Sequence, residues 1–141
     1  MMPESFLKKQ DELKALFADC PTVEAKYQRI IELGRSQTRL DPAVKTQETI
    51  VRGCQSIMYM NTEYRDGKLY FQTESDAIIS SGLGILLTRV YSGESPETIL
   101  RFAPKYIEDL GIPQTLTPGR ANGLASIYVR MKQEALHRLA Q

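Results

Sequence analysis

The sequence predicts an α+β fold, in which a small antiparallel sheet of about three strands packs against several α-helices. The first observation is a pair of runs at 55–64 and 68–74 that are rich in Ile, Tyr, Phe, Thr and Met. The second is that stretches with helical spacing of apolar residues lie on both sides of these runs. This order of helices, hairpin and helices is typical of an α+β domain.

Two helices are predicted before the hairpin. Residues 4–18 carry apolar side chains at helical spacing among charges, and Cys20 lies beside the proline that breaks this pattern. Thr22 is a favourable N-cap for a second helix at 23–33, which Gly34 is expected to end.

A loop is predicted between the second helix and the hairpin. Residues 35–49 are polar and lack a sustained apolar period, apart from one expected helical turn near Asp41. A short strand at 49–52 is then expected to complete the sheet, because an isolated hairpin is only marginally stable.

The turn of the hairpin is predicted to be Asp66-Gly67, a pair that favours a two-residue turn with positive φ at both positions. This turn sets the register. The expected apolar face pairs Tyr64 with Leu69, Thr62 with Phe71 and Met60 with Thr73. The expected solvent face pairs Glu63 with Tyr70, Asn61 with Gln72 and Tyr59 with Glu74.

A helix is predicted from Asp76 to about Tyr91, with Ser75 as its N-cap. Gly82 and Gly84 lie inside it, where glycine costs about 1 kcal/mol relative to alanine. We therefore expect another backbone to approach this helix closely. The predicted buried stripe consists of Ile79, Leu83, Leu86, Leu87 and Val90.

Three further helices complete the prediction. Ser95-Pro96 has the form of a helix start, and Pro104 is expected to begin a short helix that ends at Gly111. Thr117 then opens a long helix to about Leu139. Its predicted core stripe consists of Leu124, Ile127, Tyr128, Met131, Ala135 and Leu139.

Composition narrows the class of protein. The 141 residues are expected to form one domain (1–141), and 42% hydrophobic and 25% charged residues are ordinary for a globular protein. A net charge of +1 without a basic run gives no reason to expect nucleic acid or an anionic membrane as a partner. The N-terminus lacks the apolar region of a signal peptide, so a cytoplasmic location is expected.

The chain has two cysteines, Cys20 and Cys54, and one histidine, His137. Three such side chains are too few for a four-ligand structural zinc site, and a disulfide is disfavoured in a reducing cytoplasm. A cysteine hydrolase would need a histidine base beside its thiol, whereas His137 lies off the apolar stripe near the C-terminus. We expect His137 to be solvated and Cys20 to serve in packing.

Cys54 is the candidate for chemistry, because it lies between a glycine and two small polar residues in the segment 50–56 (IVRGCQS). The thiolate is the reactive form of cysteine, and an adjacent cation such as Arg52 would lower the thiol pKa. Gly53 gives the backbone freedom to turn. The alternative is that Cys54 is a small apolar residue of the core.

Four segments of the chain resemble the SufE family, the sulfur-acceptor proteins of iron–sulfur cluster biogenesis. They are residues 27–34 (YQRIIELG), 51–56 (VRGCQS), 74–79 (ESDAII) and 116–124 (LTPGRANGL). The resemblance runs from about Tyr27 to the C-terminal helix. It implies an α+β fold similar to the IscU scaffold, with the cysteine on a loop at the edge of the sheet.

The resemblance also implies a function. A pyridoxal-phosphate-dependent cysteine desulfurase of the SufS or CsdA kind would hold sulfur as a persulfide. Cys54 would take that sulfur, stimulate the desulfurase and deliver the sulfur to a cluster assembly scaffold of the SufBCD kind. The chain itself would bind no metal or organic cofactor and would turn over no substrate of its own. Monomer and homodimer both remain open.

Two more site residues are expected from this role. Arg120, in the first turn of the last helix, is expected either to stabilise a thiolate or persulfide at Cys54 or to pair with Asp76. Gln55 and Ser56 are expected to satisfy local backbone groups rather than the sulfur. The cysteine-bearing loop is expected to shelter its sulfur in an apolar pocket and to release it on docking.

Two rival functions remain. An IscU-like cluster scaffold would need about three cysteines or an equivalent ligand set at one site, and the chain has only two cysteines far apart in sequence. A noncatalytic adaptor would dock on the desulfurase and stimulate it without carrying sulfur.

Overall fold

The computed structural model describes residues 1–141, and its α+β architecture confirms the predicted fold class. Two short 3₁₀ turns, Pro42–Val44 and Gln47–Thr49, precede the hairpin. The helices and strands are α1 (Glu4–Leu16), α2 (Val23–Arg35), β1 (Met58–Arg65), β2 (Lys68–Ser75), α3 (Ile78–Tyr91), α4 (Pro96–Arg101), α5 (Lys105–Asp109), α6 (Ile112–Thr115) and α7 (Pro118–Leu139).

The predicted hairpin register is confirmed at every pair from Tyr59–Glu74 to Arg65–Lys68. The turn residues Asp66 and Gly67 have φ of 53° and 76°, as a two-residue turn with positive φ requires. The prediction of a third strand at 49–52 is wrong. That segment makes a single isolated bridge, between Ile50 and Tyr59, and the sheet has two strands.

The outer edge of β2 is satisfied by loops instead of by another strand. The backbone N–H of Leu69 donates to Glu94 (2.9 Å), and the Ser92 hydroxyl accepts from the N–H of Phe71 (2.8 Å). The Gln37 amide exchanges two hydrogen bonds with the backbone of Ser75. These bonds explain how two strands suffice, since an unpaired edge would otherwise be left open.

One residue of the predicted solvent face is buried. Glu74 is 3% exposed because the loop after α2 folds over it. Its carboxylate pairs with Lys45 (2.5 Å) and accepts a hydrogen bond from the backbone N–H of Leu40 (2.7 Å). These partners hold the pKa of Glu74 below its usual value, with the Lys45 hydrogen bond as the largest cause. The alternation of side chains along a strand cannot predict that a loop distant in sequence will bury Glu74.

Helix starts agree with the sequence at three of the four predicted caps, and Ser95 caps α4 by accepting from the N–H of Thr98 (3.2 Å). Thr22 accepts from the N–H of Ala25 and Thr117 from that of Arg120, so both residues cap as predicted. Ser75 does not cap α3, which begins at Ile78. Its hydroxyl instead donates to the carbonyl oxygen of Ile57 (2.8 Å), because Ser75 still belongs to β2.

A close backbone approach explains one of the two glycines inside α3. A Cβ on Gly82 would collide with the carbonyl oxygen of Ile30 in α2, as the sequence predicts. A Cβ on Gly84 would instead meet the Thr73 side chain of β2. The close packing of α2, α3 and the hairpin fixes the body of the protein on which α7 lies.

The core lies between this body and the flanking helices. All five residues of the predicted α3 stripe are buried, whereas Leu139, predicted to be in the α7 stripe, is 48% exposed. The helix therefore leaves the core before its last turn. None of the helices is both long and apolar enough to cross a lipid bilayer.

Candidate functional site

Cys54 lies in a loop, residues 52–57, that is closed at its base and carries no helix or strand. The N–H of Val51 donates to the carbonyl oxygen of Met58 (2.8 Å), and the bridge between Ile50 and Tyr59 extends this closure. The two ends of the loop therefore meet at the start of β1. We call residues 52–57 the cysteine loop.

The cysteine loop lies along a face of α7 that is lined by small residues. A Cβ on Gly123 would be 3.8 Å from the Cα of Cys54, and one on Gly119 would be 2.6 Å from the Gln55 amide carbon. Positions 119 and 123 are one helical turn apart, so they face the same side. At position 119 the glycine leaves room for the Gln55 side chain, and at position 123 the backbone of Cys54 lies at van der Waals distance from the helix.

Gly53 reaches the same face of α7. Its φ is +92°, which disfavours any residue with a side chain, and a Cβ there would collide with the Ser126 hydroxyl. The predicted need for conformational freedom at Gly53 is therefore met by a left-handed backbone. This conformation turns the next residue, Cys54, toward α7.

The sulfur of Cys54 is half-buried. The Sγ atom lies 3.8 Å from the carbonyl oxygen of Gly123, to which the thiol can donate. A cavity of about 10 Å³ adjoins the thiol, which is about the space of one water molecule. Its apolar lining residues are Met58, Leu83 and Ile127. The expected pocket beside the sulfur is therefore only partly apolar, since Gln55, Ser80, Arg120 and two glycines complete its lining.

Arg120 connects the cysteine loop to the body of the protein. Its Nη1 donates to the hydroxyl of Ser56 in the loop (3.0 Å) and to that of Ser80 in α3 (2.7 Å). The expected ion pair with Asp76 is not formed, because Asp76 is exposed and Arg120 turns to the two serines. The expectation that Ser56 satisfies only local backbone is also wrong.

Arg120 is also the cation that affects the thiol. Burial raises the pKa of Cys54 above its ordinary value, and the charge of Arg120 offsets part of that increase. Arg52, the neighbour in sequence, is exposed and lines a separate cleft against α7, so it does not act on the thiol as expected. In this position burial favours the thiol over the thiolate, which is the nucleophilic form.

The other candidate residues lie apart from this site. Cys20 is 4% exposed in the core, which confirms the packing interpretation, and both cysteines are free. His137 is exposed as predicted, about 21 Å along α7 from Gly123 at 1.5 Å per residue. No group of three or more His, Cys, Asp or Glu side chains is placed to hold a metal ion.

The sequence did not reveal three residues that hold the cysteine loop. Ser80 anchors Arg120, and Arg130 of α7 donates to the carbonyl oxygen of Ile50 at the base of the loop (2.8 Å). Gly123 provides the seat for Cys54. The spacing of Gly119 and Gly123 was a usable signal for a close approach to α7, but nothing in the sequence indicated Ser80 or Arg130.

Comparison with known proteins identifies the family. The family model for SufE, described as an Fe-S metabolism associated domain, matches residues 11–135. The chain is 34% identical over 134 residues to an uncharacterized SufE-like protein of Rhizobium meliloti, which covers 92% of this chain and 96% of that protein. It is 32% identical over 111 residues to an uncharacterized SufE-like protein of Synechocystis, which covers 79% of this chain and 70% of that protein.

A longer relative and a solved structure extend this comparison. The chain is 33% identical over 135 residues to SufE-like protein 1, chloroplastic/mitochondrial, of Arabidopsis thaliana, covering 95% of this chain but only 36% of that protein. The solution structure of a hypothetical protein from Thermus thermophilus superimposes with a TM-score of 0.72 at 23% identity, over the full length of both chains. At 23% identity, the match to the Thermus thermophilus structure shows the fold alone. The chain belongs to the SufE family, whose domain is associated with iron–sulfur metabolism.

Proposed function

We propose that the protein is a sulfur carrier, which accepts sulfane sulfur on Cys54 from a cysteine desulfurase and delivers it to an iron–sulfur cluster assembly scaffold. The observation that carries this proposal is the position of Cys54. Its thiol is half-buried on a loop that is fixed at its base and seated on small residues of α7. Membership of a family associated with iron–sulfur metabolism supports the same role.

The transfer is a thiolate attack on a sulfur–sulfur bond. The Cys54 thiolate attacks the terminal sulfur of a persulfide on the desulfurase, and a new bond forms between Cys54 Sγ and that sulfur. The old sulfur–sulfur bond breaks, and the desulfurase cysteine leaves as a thiolate that takes up a proton. No electrons are gained or lost overall, so the step requires no external oxidant or reductant. Delivery to the scaffold repeats this exchange in the opposite direction.

A carrier, rather than an enzyme with its own substrate, fits the groups around the sulfur. The cavity beside Cys54 is lined by apolar side chains, glycines, an amide, a serine and Arg120, and none of these is a general base at neutral pH. Sulfur transfer needs only one thiol on the carrier. The proposed cellular location is the cytoplasm, where both free thiols remain reduced.

Arg120 is proposed to stabilise the negative charge on the sulfur. Only its Nη1 is engaged within the chain, so the donors on Nε and Nη2 remain available to a thiolate or persulfide anion. Two neutral hydroxyls hold the guanidinium without neutralising its charge. Asp76 has no part in this step, because it is exposed and forms no ion pair with Arg120.

The resting position of Cys54 is proposed to be a protected one. Burial raises the pKa of the thiol, so little thiolate is present to react with oxidants. Docking of the desulfurase would have to draw the cysteine loop away from α7 before transfer. A short loop held mainly by Arg120 and by glycine contacts is suited to such a movement.

The alternative function is an adaptor that stimulates the desulfurase without carrying sulfur. The experiment incubates the protein with a pyridoxal-phosphate-dependent desulfurase and free cysteine, and then measures its intact mass. We expect the wild-type protein to gain the mass of one or more sulfur atoms, and this gain should vanish on treatment with a reductant. The variant Cys54→Ser should gain none, whereas Cys20→Ser should behave as wild type.

The same reactions separate the two functions by the rate of desulfurase turnover. If the protein is a carrier, Cys54→Ser should lose its stimulation together with its sulfur. Equal stimulation by wild type and Cys54→Ser, with no added mass on either, would establish the adaptor and exclude the carrier.

A further inference from the structure

A continuous line of hydrogen bonds joins the rigid helix α3 to the cysteine loop. Ser80 is 5% exposed and lies in the third position of α3. Its hydroxyl accepts from Nη1 of Arg120, and the same Nη1 donates to Ser56, two residues after Cys54. Ser80 is therefore connected to the loop through Arg120, although it lies 40 residues before Arg120 in sequence.

The neighbouring serine shows that this contact is particular to Ser80. Ser81 is also buried, and its hydroxyl donates to the carbonyl oxygens of Ser75 (3.1 Å) and Ala77 (3.2 Å). It thus serves the start of its own helix. Ser80 makes no such bond, and its oxygen faces Arg120 across the boundary between α3 and α7.

The position of Arg120 makes an anchor necessary. A cation in the first turn of a helix opposes the helix dipole, so α7 alone does not hold the guanidinium near its N-terminus. A carboxylate partner would also hold Arg120, but its negative charge would cancel much of the effect of the guanidinium charge on the sulfur. A buried hydroxyl holds it by a charge-assisted hydrogen bond and leaves the positive charge in place.

We propose that Ser80 is a positioning residue for sulfur transfer, which holds Arg120 in the one place where it can both fasten the cysteine loop and face the sulfur of Cys54. Ser80 acts through Arg120 and does not itself touch the sulfur. The part of this proposal that concerns transfer rests on the proposed carrier function. The part that concerns the loop does not.

The loop is tested without any desulfurase, by the rate at which iodoacetamide alkylates Cys54 at pH 7. In the seated position the thiol is half-covered by α7 and by the lining of its cavity, so the open loop reacts faster. The rate then reports the fraction of open molecules. Peptide mass spectrometry distinguishes Cys54 from Cys20. We expect Ser80→Ala to raise the alkylation rate of Cys54 about fivefold, the effect of about one net hydrogen bond.

Ser81→Ala is the matched control, because it also removes one buried hydroxyl from α3 but leaves Arg120 in contact with Ser80. It should alkylate at the wild-type rate. Ser80→Thr keeps the hydroxyl and should also retain the slow rate. Alanine is a good helix former, so Ser80→Ala should fold, and its thermal unfolding is measured to confirm this. If Ser80→Ala were unfolded, fast alkylation in Ser80→Thr would still overturn the proposal.

The decisive comparison is made in an Arg120→Gln background. If Ser80 acts through Arg120, Ser80→Ala should add no further increase once Arg120 is absent. An equal increase in both backgrounds, or equal rates for Ser80→Ala and Ser81→Ala in the presence of Arg120, would overturn the proposal.

Transfer is then measured with the desulfurase, as the initial rate of sulfur gain by intact mass. Ser80→Ala should load sulfur more slowly than Ser81→Ala, because its Arg120 is no longer held toward the sulfur. If wild type gained no sulfur at all, the carrier function would fail, while the alkylation result would still decide whether Ser80 fastens the loop. Equal loading by the two variants, with wild type loading normally, would overturn the role of Ser80 in transfer.

Discussion

Cys54 and Cys20 carry the same thiol but lie in two different kinds of surroundings. Cys20 is 4% exposed and packs in the core at the junction of α1 and α2. Cys54 is half-buried in a loop that lies against small residues of α7 and is held by Arg120 and Arg130. Removing the cover from Cys20 requires disruption of the core, whereas removing it from Cys54 requires movement of six residues.

The difference teaches that the resting acidity of the thiol does not select the reactive cysteine. Burial raises the pKa of both Cys20 and Cys54 above the ordinary value. What differs is the free energy needed to expose each sulfur, because local opening of a loop requires less than global unfolding.

The largest expected effect is the difference in alkylation between the two cysteines of the native protein. Iodoacetamide at pH 7 should modify Cys54 at least about 100-fold faster than Cys20, since global unfolding of a domain costs about 5–15 kcal/mol. Peptide mass spectrometry after a timed pulse gives both rates from one sample. Similar rates would show that the two covers open to a similar extent.

The seat of the cysteine loop is tested by Gly53→Ala. The φ of +92° at Gly53 and the closeness of Ser126 leave no room for a Cβ, so the loop must shift. Strain of about 1–2 kcal/mol predicts an increase of about tenfold in Cys54 alkylation, with Cys20 unaffected.

Gly119→Ala is the matched control for this substitution. The nearest atoms to its Cβ would be those of the exposed side-chain amide of Gln55, which can move aside. A tenfold increase in Gly119→Ala as well would show that any added side chain on this face loosens the loop, and that the backbone of Gly53 has no special part.

The pH dependence of the loop follows from the direction of the Cys54 pKa shift. Burial raises the pKa of the seated thiol, so the seated state holds its proton more tightly than the open state does. Raising the pH therefore favours the open loop, beginning near the ordinary thiol pKa of about 8.5. Amide hydrogen exchange of residues 52–57, corrected for the intrinsic effect of pH, should accelerate across this range.

The variant Cys54→Ser provides the control for that measurement. It lacks the titrating thiol, so the opening of its loop should not change over the same range of pH. Acceleration of the same size in Cys54→Ser would assign the effect to another group.

The smallest expected effect is on stability. Here substitution of Cys20 is expected to have a larger effect than substitution of Cys54, the reverse of the order expected for alkylation. Cys20→Ser places a hydroxyl in the core and should lower the free energy of unfolding by about 1–2 kcal/mol. Cys54→Ser should change it by less than about 0.5 kcal/mol, because the site is half-exposed. Urea unfolding of both variants gives the two values, and a larger loss for Cys54→Ser would contradict the assignment of the two roles.

Local sequence signals predicted most of the fold. The pair Asp66-Gly67 fixed the register of the hairpin, because a two-residue turn leaves only one pairing. Thr22 and Thr117 marked helix starts by the same kind of short-range chemistry. The missing third strand and the buried Glu74 could not be predicted in this way, since loops distant in sequence decide how each strand edge is covered.

The candidate site was predicted less completely than the fold. Cys54 and Arg120 could be chosen from the sequence, the latter because a cation at a helix start requires a reason. Their surroundings could not, because the contacts join distant parts of the chain. Arg120 meets Ser56 across 64 residues, and Cys54 meets Gly123 across 69. Arg52 and Asp76 were chosen for being near in sequence or for having a suitable charge, and neither faces the site.

The central claim is that the thiol on the movable loop, and not the one in the core, receives the sulfur. The most direct test is to load wild type with a cysteine desulfurase and cysteine, block persulfides with an alkylating reagent, and map the added sulfur by peptide mass spectrometry without reduction. We predict that the added sulfur is on the peptide that contains Cys54 and that the Cys20 peptide is unchanged. Added sulfur on Cys20, or on neither peptide while the desulfurase is stimulated, would contradict the account.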